Sequence, residues 1–240
     1  MPEENPGTAS GLVGMLNVFV DPEGTAKRVP AKLFWLWPLI TLSIIYLVFG
    51  YLMLPYVSQF ADARVSQAVS QSNVPPEQME NTRRVARIFT EVLFMLTPVW
   101  VIVLLLLLAW LVGLTGSIVG LRAKFRDIFS LLAACSLIPA LQYIAVYVVI
   151  RAKGDEIQSQ DQLTPPFGLD IFMPNAHGPL LALVNYFSIF QIWYLVIFGL
   201  GLAYLTGASK GKAFAAITPA WALPLIFRVV GAMFSGASGS

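Results

Sequence analysis

The chain has a single cysteine, Cys135, and a single histidine, His177. One cysteine builds neither a disulfide framework nor a thiolate cluster. One histidine cannot supply the ligands of a His-based zinc site, so His177 reads as an ordinary interfacial or loop residue. No P-loop, no G-x-G-x-x-G after a strand, no G-x-S-x-G and no H-E-x-x-H occurs. The expectation is therefore a non-enzymatic protein with no catalytic residues, no cofactor, no metal and no nucleic-acid partner. Charge is also scarce, at 12% of residues, against about 25% in soluble domains. That deficit points at lipid.

What the chain has instead is apolar length. Hydrophobic residues make up 57% of its 240 positions and its mean hydropathy is +0.73. A hydrocarbon core about 30 Å thick is crossed by roughly 20 apolar helical residues, and this requirement is met at 33–54, 92–114, 128–150, 180–205 and 213–234. The runs are continuous, whereas barrel strands alternate in segments of about ten residues. Lipid cannot satisfy free backbone groups, which leaves helices. The expected fold is an all-α polytopic bundle of five transmembrane helices over 33–234, with an N-terminal segment at 1–32 and a short tail at 235–240. Leu33–Leu54 is opened by Phe34, Trp35 and Trp37 and closed by Pro55 and Tyr56, the aromatic anchoring expected at membrane interfaces.

The first thirty residues carry Gly, Pro and charge rather than the positive start and apolar core of a signal peptide, so no cleavage is expected. Gly11–Val20 (GLVGMLNVFV) is apolar but too short to span. It either lies in the interface as a short amphipathic helix or packs under the bundle as a loop. Orientation follows from Lys and Arg near the spans. Lys27, Arg28, Lys32, Arg122, Lys124, Arg126, Lys210 and Lys212 fall on one side; Arg64, Arg83, Arg84, Arg87, Arg151 and Lys153 fall on the other, in longer loops that also hold most of the loop acids. The N-terminus is expected in the cytoplasm and the C-terminus outside.

Between the first two runs, Pro75 and Pro76 followed by Glu77 and Glu80 read as a helix start that runs into the second span. From Ala152 to Pro179 the composition suggests an irregular external lid. Polar groups inside spans are costly in lipid and invite a functional reading. Glu91 and Arg228 come at similar depths, and either pair between helices or act separately, Glu91 as an interfacial cap and Arg228 snorkelling outward. Gln142, Asn185 and Gln191 serve as interhelical hydrogen bonds or line a ligand path. Lys210 and Lys212 in Gly207–Lys212 (GASKGK) either fix topology or contact anionic lipid headgroups. Pro38, Pro98, Pro139, Pro219 and Pro224 each remove a backbone hydrogen bond and predict irregular helices. Gly116 and Gly120, with Ala216 and Ala220, give the small-residue spacing of close helix approach.

An apolar run with a Pro-Glu step (NVFVDPEGTAKRV), five spans, SLLAACSLIPAL in the third and GLAYLTGASKGKAFAAITPAW near the end resemble the Yip family, the Ypt/Rab-interacting membrane proteins, in its bacterial form. The resemblance covers about Val18 to Phe234. It implies five spans and a cytoplasmic N-terminus in a bacterial inner membrane, and it brings no catalytic residues. In eukaryotes the family is associated with Rab GTPases, vesicle traffic and membrane shaping through a longer N-terminal region bearing an Asp-Leu-Tyr-Gly-Pro motif. That motif is absent here, which argues against a Rab-type GTPase partner. Two roles stay open. One is a membrane-organising protein acting on lipid, on further copies of itself or on partner membrane proteins. The other is a small oligomeric transporter or channel using Gln142, Asn185, Gln191 and Glu91 as its polar path.

Overall fold

The computed structural model describes residues 15–31, 33–70, 76–154, 163 and 165–237, with side chains left aside at 60–70, 76–79, 83, 86 and 235–237. The first part of the apolar segment from Gly11, the stretches 71–75 and 155–162 of the two long polar connections and the end of the tail therefore lie outside the described residues. Among those residues the architecture is all helical, with one isolated bridge between Gly168 and Ser188. A 3-10 turn at Asn17–Phe19 leads into α1 (Pro22–Arg28). Then come α2 (Leu36–Ser70), α3 (Pro76–Ile118), α4 (Phe125–Cys135), α5 (Leu137–Lys153), a 3-10 turn at Leu169–Phe172, α6 (Gly178–Tyr186), α7 (Ile189–Thr206) and α8 (Lys210–Ala237). Five segments are long and apolar enough to cross a membrane: Leu36–Gln59, Glu80–Ile118, Phe125–Lys153, Ile189–Thr206 and Lys210–Phe234.

Several helices depart from the expected bounds for identifiable reasons. α2 continues through Pro55, expected to close it, for 35 residues in all; the Ser58 hydroxyl donates to the Pro55 carbonyl at 3.0 Å. α3 begins at Pro76 and runs unbroken for 43 residues, as its Pro-Glu start predicts. The third span is divided at Ser136. Pro139 has no N–H to return to the Cys135 carbonyl four residues back, and Ser136 instead bonds Leu132 through both its N–H and its hydroxyl. The fourth run, expected as one helix over 180–205, is also divided. Phe187 takes a non-helical backbone, Ser188 caps α7 by accepting the Gln191 N–H at 3.1 Å, and the Ile189 N–H donates to the Phe167 carbonyl.

After the 3-10 turn at Asn17–Phe19, a helix forms on PEGTAKR. Asp21 accepts the Gly24 N–H at 2.8 Å, Pro22 opens the first turn, Glu23 meets its positive end, and Lys27 and Arg28 meet its negative end.

Contacts divide the chain into two compact units. One comprises 1–41, 102–141 and 166–240. At its centre is α4, buried at every position from Asp127 to Cys135. The 3-10 turn and α1 pack on α4 and α7 through Val18, Ala26 and Val29, so the N-terminal segment is part of this core. α3 ends in a Schellman motif. The Leu121 N–H returns to the Gly116 carbonyl and the Gly120 N–H to Ser117, with Gly120 left-handed at φ 82°. α3 and α8 approach where buried Gly116 faces Ala216, and the Thr115 hydroxyl donates to the Ala216 carbonyl. Of the small residues read from the sequence, Gly116 and Ala216 meet here, whereas Gly120 lies beyond the end of α3 as its exposed left-handed cap.

The other unit comprises 42–101 and 142–165. Tyr46 packs on Tyr143 and Phe49 on Tyr147, each pair with ring centroids 5.5 Å apart. Gly50 leaves room for the Phe94 ring. Outward, both units present apolar side chains, Leu107, Trp100 and Phe227 among them.

Candidate membrane-interface site

The polar residues singled out in the sequence occupy separate settings. In the second unit Glu91 lines a cleft of about 240 Å³ with Leu54, Pro55, Ser58, Arg87 and Thr90, and Gln142 is half-buried on α5. In the first unit Asn185 donates to a carboxylate oxygen of Asp170 at 3.0 Å, and the Gln191 N–H belongs to the α7 cap. Lys210 and Lys212 are exposed in the first turn of α8. Arg228 is engaged by an aromatic ring: its guanidinium carbon lies over Tyr186, 5.5 Å from the centroid. Glu91 and Arg228 thus fall in different units, each with its own surroundings.

The sequence reading missed the groups that organise this end of the first unit. Asp170 is 6% exposed and accepts the Gly168 N–H at 2.8 Å as well as the Asn185 amide. A buried carboxylate is tolerable only when hydrogen-bonded, and these two donors tie the segment before α6 to α6 itself. The Tyr186 hydroxyl donates to the Trp221 carbonyl at 2.8 Å, and the rings of Tyr186, Phe187 and Trp221 meet with centroids 5.4 to 6.3 Å apart. Trp221 Nε1 is buried without a hydrogen-bond acceptor. Nothing in the spacing of Asp170 and Asn185, fifteen residues apart, marks them as partners.

At the other end, α1 and α7 border a groove of about 340 Å³ lined by Glu23, Ala26, Lys27, Pro30, Tyr204 and Leu205. Lys27 and Glu23 pair at 2.8 Å, and the hydrogen bond and charge of Glu23 raise the Lys27 pKa above the ordinary lysine value. Nearby in the same unit, Arg126 donates to the Pro30 carbonyl at 2.9 Å and to Asp127. A basic residue that counts towards orientation thus also fastens the connection between α1 and α2. Trp193 Nε1 donates to the Phe19 carbonyl at 3.1 Å, with the two rings in contact.

No group of three or more His, Cys, Asp or Glu side chains able to hold a metal occurs among the described residues. Apolar helices of spanning length, hydroxyls and amides bonded within the helical framework and an apolar exterior define a multi-pass helical membrane protein. A family model described as the Yip1 domain matches residues 16–231, and the chain belongs to that family. The match begins within the docked N-terminal segment and so includes it. Comparison with curated proteins and with solved structures gave no match.

Proposed function

We propose that this protein is a non-enzymatic organiser of the membrane, acting on lipid and on partner membrane proteins or further copies of itself. In this reading it resides in a bacterial inner membrane with its N-terminus in the cytoplasm and its C-terminus outside. The observation that carries the role is where the span hydroxyls go. Thr97, Ser117, Ser136, Thr206 and Thr218 donate to carbonyls one turn back, and Thr115 and Tyr186 donate to main-chain carbonyls of α8. The first five are taken up by their own helix and the last two join α3 and α6 to α8, whereas a solute path would need such groups turned towards water. The placement of Lys27, Arg28, Lys210 and Lys212 supports the orientation. The absence of the Asp-Leu-Tyr-Gly-Pro motif speaks against a Rab-type GTPase as partner.

The transporter reading draws on the cleft beside Glu91, which combines an acid, a base and hydroxyls. One experiment separates the two. The full chain reconstituted in liposomes is assayed for leakage of ions and small solutes, and in parallel for retained phospholipid and for vesicle size and shape. Tight vesicles with altered shape or specific retained lipid are expected. Solute flux abolished by Glu91→Ala would replace this reading with the transporter.

A further inference from the structure

α8 carries an arginine beside residues that face hydrocarbon. Leu223, Ile226, Phe227, Val230 and Met233 are exposed in a helix apolar enough to span, and Arg228 is exposed among them. A guanidinium is strongly disfavoured at the bilayer centre, so its depth decides what it can meet. At about 1.5 Å per residue, the roughly eighteen residues from Lys210 to Arg228 cover about 27 Å, nearly the full ~30 Å of hydrocarbon. With Lys210 and Lys212 at one headgroup level, Arg228 reaches the other. α7 gives the same answer independently: its 18 residues also cover about 27 Å, and Tyr186 lies just beyond its far end.

The side chain is also held in place. The buried Tyr186 ring lies under the guanidinium, and its hydroxyl is fixed to the Trp221 carbonyl. Trp221 is two turns from Arg228 on the same face of α8. The cation–π contact engages the guanidinium carbon and uses no N–H donor, and a guanidinium's fork of donors is what accepts a phosphate through two parallel hydrogen bonds. Among the described residues no carboxylate is paired with Arg228.

We propose that Arg228, backed by Tyr186, binds the phosphodiester of a membrane phospholipid at the interface opposite Lys210 and Lys212, with the acyl chains lying along Phe227 and Val230. This rests on the lipid-interaction reading above and gives it a site.

The test titrates the purified full chain with dioleoylphosphatidylglycerol and counts bound lipids by native mass spectrometry. Arg228→Gln should weaken the tightest binding event at least about tenfold, the scale of one lost charge-assisted hydrogen bond. Arg228→Lys keeps the charge without fork or stacking and should weaken it as well. Unchanged binding in Arg228→Gln overturns the site. Displacement of the lipid by millimolar inorganic phosphate would assign the arginine to a soluble anion instead. Recovery of Arg228→Glu by Glu91→Arg would assign it to Glu91, and either result removes the proposal.

Should Arg228→Gln not fold, the wild-type chain is labelled with a headgroup-photoactivatable phosphatidylglycerol. Adducts on the peptide holding Phe227 and Arg228 are expected, and labelling confined to other peptides overturns the site. A wild-type chain that retains no phospholipid removes the proposed function itself, whereas retention indifferent to Arg228 removes this site alone.

Discussion

Thr115 and Ala216 stand 101 residues apart in the chain, yet the hydroxyl of one donates to the main-chain carbonyl of the other. The contact requires the two helix backbones to approach closely, which Gly116 and Ala216 permit. Lipid gives no hydrophobic reward for joining helices, so packing and such hydrogen bonds carry the association.

Thr115→Val should therefore loosen α3 from α8 at a cost of about 0.6 to 1.7 kcal/mol, from the average to the largest measured interhelical hydrogen bond in a membrane protein. Thr115→Ser keeps the donor and should stay close to wild type. Unfolding in mixed micelles by denaturing detergent reads the difference; equal stability of the valine and serine variants would contradict this role.

Gly168→Ala should be more damaging than an alanine at Gly199. A Cβ at Gly168 would lie 2.6 Å from the Phe187 carbonyl oxygen, a backbone atom that cannot swing aside, whereas at Gly199 it would meet the Phe214 ring. Overpacking costs about 1–3 kcal/mol, and at Gly168 it also disturbs the Asp170 turn and the Ser188 bridge. Melting temperatures of the two variants rank them, and the reverse order would refute the backbone argument.

Asp170→Ala leaves the Asn185 amide and the Gly168 N–H without their acceptor. Each unsatisfied group costs about 1–3 kcal/mol, so the segment from Gly168 to His177 should become accessible to protease while the spans stay intact. The double change Asp170→Ala, Asn185→Leu removes one of the orphaned groups and should recover part of the loss. A double variant no better than the single would show that the pair does not act as a unit.

Glu23→Gln should return the Lys27 pKa to the ordinary lysine value, because the Glu23 hydrogen bond is the main cause of the rise. A pKa higher when folded means that the pair stabilises α1 below the lysine range and that this help is lost as pH rises through the folded value. The side chains are exposed, at 73% and 47%, so salt should screen the effect. Titration of side-chain-labelled lysine by NMR follows it directly, and a Lys27 pKa indifferent to the substitution would sink the assignment.

Much of the membrane architecture was legible because lipid leaves a chain few choices. An apolar run such as Leu104–Leu108 has no alternative to a helix there, and the Pro-Glu start at Pro76 predicted the long α3 correctly. Pro55 was misleading: proline often closes a helix, since it lacks the N–H that would return to the carbonyl four residues back, but here the helix continues through it to Ser70. Ser188 was illegible in the opposite sense, since a serine inside an apolar run looks the same whether it caps a new helix or points at its own backbone.

The helix at Pro22–Arg28 carried every local sign, from the Asp21 cap to the basic last turn, and was overlooked in favour of the more apolar segment before it. Asp170 with Asn185, and Tyr186 with Trp221 and Arg228, could not be read, because each joins separate elements through tertiary contact that no local pattern encodes.

The bond from Trp193 to the Phe19 carbonyl bridges 174 residues. Phe19 leaves the ribosome long before its partner exists. At about 5–20 residues per second, that interval is roughly ten to thirty seconds. Throughout it α1 lacks α7, the helix it packs on, so the membrane interface or a chaperone has to shelter Ala26 and Val29 until the fourth span arrives, and assembly of this protein closes by going back to its beginning.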